Sequence, residues 1–84
     1  MYSYEQTAEV ADALESMPVE LLGHFAELIT FLELTPWAGQ PYQPRNPGGS
    51  LRKMTFGPNG EALATYVILE EQRRIVVVSL IWIV

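Results

Sequence analysis

Four cations in the second half of the chain are the side chains best suited to chemistry: Arg52 with Lys53, and Arg73 with Arg74. Successive residues of a strand point to opposite faces, so Arg52 and Lys53 offer one cation to each side of a sheet. Arg73 and Arg74 stand at a turn into the last apolar segment. Guanidinium and ammonium groups so placed can hold a phosphate backbone through charge-assisted hydrogen bonds. Trp82 adds a flat aromatic face on which a base could stack. Each feature also has a plain structural reading. Glu70 and Glu71 adjoin Arg73 and Arg74, which fits a solvated cluster of turn ion pairs of small value. Trp82 lies among Val78, Leu80 and Val84, which fits core packing.

Other chemistries lack their residues. There is no Cys, hence no thiolate nucleophile, Cys-metal cluster or disulfide framework. His24 is the single His, so a His-rich metal site is excluded, and no metal or cofactor is expected. Gly57-Pro58-Asn59-Gly60 is too short for a phosphate loop and is accounted for by a hairpin turn. No residue stands out as a general acid, base or nucleophile.

Charge is unevenly placed. Residues 1–44 contain seven acids and no Lys or Arg, whereas residues 45–84 contain all five bases and three acids, within a net charge of −5. An acidic whole disfavours nonspecific nucleic-acid binding but permits a local basic patch. Hydrophobic residues make up 49% of the 84 and charged ones only 18%, enough for one core with apolar surface left over for a partner. The first residues have neither the basic nor the apolar region of a signal peptide. The apolar run from Ile75 to Val84 has ten residues, broken by Ser79, against about 20 for a membrane-spanning helix. A cytoplasmic protein without a membrane partner is expected.

The elements that must position these residues follow from periodicity. Tyr2 and Tyr4 alternate with polar residues as in a short strand. Thr7 can cap a helix carrying Val10, Ala11, Leu14 and Met17 at helical spacing. Pro18 ends that helix and opens a second, whose broad stripe runs through Leu21, Leu22, Phe25, Leu28, Ile29 and Leu32 until Pro36. Residues 36–50 hold four Pro and three Gly and read as an internal loop pinned by Trp37 and Tyr42. Strands are predicted at Leu51 to Phe56 and Glu61 to Glu70, joined through Asn59-Gly60. Ile75 to Val84 is apolar and β-branched enough for a strand buried on both faces. The expectation is a single α+β domain over 1–84: a strand, a two-helix hairpin, then a three-stranded antiparallel meander, with the first strand beside the last, the helices on one sheet face and the other face without a helix.

This order, with Leu51-Arg52-Lys53-Met54, the Asn59-Gly60 turn, Thr65 to Glu70 and Val76 to Leu80, resembles the RelE/ParE toxin superfamily of bacterial toxin–antitoxin systems. The resemblance covers nearly the whole chain through a diffuse pattern. It implies a toxin with an antitoxin protein as partner. The RelE branch are metal-independent, ribosome-dependent messenger-RNA endoribonucleases, and the ParE branch act on DNA gyrase. By resemblance, Arg52 and Lys53 take the place of strand cations that stabilise the phosphate, with Arg73 and Arg74 as further target-facing cations. Tyr66 takes the place of a structural strand Tyr. No Arg stands near Glu61-Ala62-Leu63, where the family usually has one, and the acidic net charge departs from its usual basic character. These departures support an alternative: a catalytically inactive protein-interaction module or homodimer on the same fold.

Overall fold

A computed structural model describes residues 1–83. Ser3–Gln6 forms β1, Ala8–Ser16 forms α1 and Val19–Leu34 forms α2. A single 3-10 turn at Pro36–Ala38 leads into β2, Gln40–Pro41. Leu51–Phe56 forms β3, Ala62–Leu69 forms β4 and Arg74–Trp82 forms β5, the last two joined by a 3-10 turn at Glu70–Gln72. Val84, the final residue of the expected last strand, lies outside the described residues.

Local chemistry explains the helices. The Thr7 hydroxyl accepts from the Val10 amide at 3.3 Å, satisfying one of the unpaired donors of the first turn. Pro18 holds extended backbone at the start of α2, which leaves only a two-residue corner between the helices. Leu21, Phe25, Leu28 and Leu32 are buried, at the three- and four-residue spacing of one helix face. They meet Phe56, Ala62, Ala64, Tyr66, Ile68, Ile75 and Val77 from the sheet in a single core. The Phe25 and Phe56 rings lie 5.6 Å apart.

The expected three-stranded antiparallel meander is corrected. The sheet has five strands in the order β1-β5-β4-β3-β2, and it is mixed because β1 runs parallel to β5. Buried backbone amides and carbonyls need partners, and β1 supplies them along one edge of β5, with Ser3 opposite Arg74 and Gln6 opposite Val77. The residues between them provide the long crossover that a parallel pair requires. At the other edge the Pro-rich segment contributes β2, where Gln40 and Pro41 pair with Lys53 and Arg52. Pro41 sits where a missing donor is tolerated, on an edge strand. Two residues are too few to show the alternation by which a strand is read from sequence.

A register shift separates Thr65 from Tyr66, which pair with Ser79 and Val77, so Val78 is the extra residue of a bulge. Residues 52, 54 and 56 of β3 and 62, 64, 66 and 68 of β4 face the helices. The opposite face carries no helix, so β5 is not buried on both sides as its composition suggests. Val76, Val78 and Ser79 are half-buried, and Ile81 is 59% exposed.

Candidate functional site

The five sequence candidates do not form one site. Arg52 is only 7% exposed, because it shares its strand face with Met54 and Phe56. Its guanidinium is directed at the crossover. Nε donates to the Gly49 carbonyl at 3.0 Å, Nη1 to Gly39 at 3.0 Å and Nη2 to Pro47 at 2.6 Å. The Trp37 ring stacks on it, with Cζ 4.9 Å from the ring centroid. Arg52 thus works as a peg that folds residues 36–50 onto β3, with each of its three nitrogens turned to a carbonyl of the crossover.

Arg73 adopts left-handed backbone (φ 53°) as it closes the turn between β4 and β5, a conformation that a side chain other than Gly seldom takes. Its Nη1 donates at 2.9 Å to both Glu70 Oε2 and the Tyr2 hydroxyl, and its guanidinium lies 4.5 Å over the Tyr2 ring. Glu70 Oε1 also accepts from the Tyr2 hydroxyl at 2.6 Å and from Trp37 Nε1 at 2.8 Å. One carboxylate therefore ties the chain start, the crossover and the β4–β5 turn together. The Tyr2 hydroxyl donor holds the Glu70 carboxyl below its ordinary range, with Trp37 and Arg73 acting in the same direction. Reciprocally, the hydrogen bond to Glu70 raises the Tyr2 phenol. Tyr2, Trp37 and Glu70 were not legible as one group, because their sequence positions lie far apart.

Arg74 pairs with Glu5 of β1 and donates to Gln72 Oε1 at 2.7 Å. Trp82 is half-buried against the core, with one edge beside a shallow hollow shared with Leu63 and Ile81. Lys53 is the one candidate cation without an ion pair or side-chain hydrogen bond among the described residues. It sits on the face away from the helices, 5.9 Å from the Tyr42 ring centroid. Beside it lies a cavity of about 520 Å³ lined by Ala38, Gln40, Lys53, Met54, Thr55 and Leu63.

What the arrangement offers is an uncovered sheet face. Leu51, Lys53 and Thr55 of β3, Leu63 and Val67 of β4, and Val76 and Ile81 of β5 share the uncovered side of the sheet by register. By the same register Lys53, Thr65 and Ser79 form a polar row between two apolar groups, Leu51 with Val67 and Val76, and Leu63 with Ile81. Among the described residues no three His, Cys, Asp or Glu side chains gather to hold a metal ion, and no helix is long and apolar enough to cross a membrane. No protein-family model matches the chain, and a search of curated proteins finds no match.

Proposed function

We propose that this chain is the toxin-like component of a bacterial toxin–antitoxin pair in the cytoplasm, and that it acts by holding another polypeptide on its open sheet face. The observation that carries this reading is the uncovered sheet face, where Ile81 and Leu51 are exposed beside the half-buried Leu63 and Val67. Exposed apolar patches of this kind mark protein contacts. The pairing of Arg52, Arg73 and Arg74 within the chain speaks for binding and against phosphate chemistry at those residues. The family resemblance supplies the expected partner, an antitoxin polypeptide that covers the toxin surface.

Metal-independent cleavage of messenger RNA is the second reading. It is favoured by one observation, the free Lys53 ammonium beside a cavity large enough for a nucleotide-sized group. The test is induction of the chain alone in a bacterial host, with growth and total messenger RNA followed together. The binding reading expects growth arrest with intact transcripts, relieved by Ile81→Glu. Rapid transcript cleavage, abolished by Lys53→Ala, would replace it with the nuclease. Unimpaired growth at high soluble expression would remove the toxin role altogether.

A further inference from the structure

The side of α2 turned away from the sheet is a second surface, separate from the open sheet face. α2 is apolar on both sides. Its inner residues are consumed by the core, yet Val19 and Leu34 remain 74% and 63% exposed, with Leu22 at 38%. Together with Gly23, Ala26 and Thr30 they form one stripe at three- and four-residue spacing. A hollow of about 430 Å³ lies along it, bordered by Phe31.

Gly23 has no reason within the chain. A Cβ built there meets nothing within 4 Å, its backbone is helical, and glycine inside a helix costs roughly 1 kcal/mol relative to alanine. What the absent side chain permits is close approach of another backbone from outside. Charge then selects what approaches. Glu20, Glu27 and Glu33 lie on this helix, and residues 1–44 contain no Lys or Arg. Among the described residues, none of these three acids is paired with a Lys or Arg, and Glu27 lies 3.6 Å from His24 Nδ1. A second copy would set acid against acid across the joint. A helix with an apolar stripe bordered by Lys or Arg would pair its cations with these carboxylates.

We propose that the outer face of α2 is a docking surface for a basic amphipathic helix, with Gly23 as the point of closest approach. The test is fluorescence-anisotropy titration of the intact chain with a labelled peptide about 18 residues long, five helical turns, built of Leu and Lys at helical spacing. A matched peptide of Leu and Glu is the control. The Leu/Lys peptide is expected to bind and the Leu/Glu peptide not to. Gly23→Leu and, separately, Ala26→Lys with Thr30→Lys address different features of the face. The first is expected to weaken binding at least about tenfold by steric block, although it improves helix propensity. The second is expected to break contact at the centre of the stripe. Gln43→Leu, on the crossover, leaves binding unchanged. Failure of the Leu/Lys peptide to bind, equal binding of both peptides, or undiminished binding by Gly23→Leu with normal circular dichroism would overturn the proposal. So would a dimer in sedimentation velocity that Gly23→Leu dissociates, which would assign the face to a second copy.

Discussion

Arg52 and Lys53 are neighbours in sequence and opposites in environment. Removing Arg52 leaves three carbonyls of the crossover without their donor. Each lost or unsatisfied buried hydrogen bond costs on the order of 1–3 kcal/mol, part of which water recovers at the exposed Pro47. Arg52→Ala is therefore expected to lower stability by roughly 2–4 kcal/mol in urea denaturation. Lys53→Ala, a half-exposed change without a bonded partner, should stay within about 0.5 kcal/mol. Equal effects of the two would refute the peg. The same contrast cautions against reading growth rescue by Arg52→Ala as lost chemistry unless its folding is measured.

Glu70 carries a pH dependence of defined sign. Its folded-state pKa lies below the ordinary value of 4.5, chiefly through the Tyr2 hydroxyl donor. Stability from a depressed carboxylate is fully present above the unfolded-state value and is lost as pH falls through the folded-state value. The denaturation midpoint of the wild type should exceed that of Glu70→Gln at pH 7, and the gap should shrink below pH 4.5. A gap that widens on acidification would show that Glu70 is not the tie between Tyr2, Trp37 and Arg73.

At the scale of elements, α2 and the crossover make opposite demands on side chains. Leu32 is fully buried and Phe31 is 46% exposed, although they are adjacent. Leu32→Ala should cost about 2–5 kcal/mol through the cavity it leaves, as should Leu28→Ala on the same face. Phe31→Ala should change the urea midpoint little, and comparable losses for Phe31 and Leu32 would misplace the helix face. In the crossover, the Tyr66 hydroxyl donates to the Pro36 carbonyl at 2.7 Å, and a Cβ at Gly39 would collide with that hydroxyl and crowd the Lys53 carbonyl. Gly39→Ala should accordingly loosen residues 36–50, read as faster amide exchange there, and Tyr66→Phe combined with it should restore part of the loss by removing the clash. Exchange unaffected by Gly39→Ala would mean that the crossover is held without this contact.

For the whole molecule, two layers carry different charge. The acids of α1 and α2 lie on one side of the sheet, while Lys53 and the uncovered sheet face lie on the other. The radius of gyration, 12.2 Å, is close to the ~12 Å expected of one compact domain of this length, so both faces are available on a single small body. Helix bounds, the Asn59-Gly60 hairpin and the charge segregation were legible in the sequence because caps, turn residues and hydrophobic periods act over a few positions. Even the inward direction of Arg52 was present in its parity with Met54 and Phe56. Its role was not, since its partners come from Gly39, Pro47 and Gly49, positions that read only as loop. The place of β1 beside the last strand and the pairing of Arg73 with Glu70 were also legible, from element order and from adjacency, whereas tertiary structure alone decided the fifth strand β2, the parallel sense of β1 and the partners of Arg52. Those outcomes depend on which distant segments supply hydrogen bonds and cover, and a local pattern carries no record of the partner.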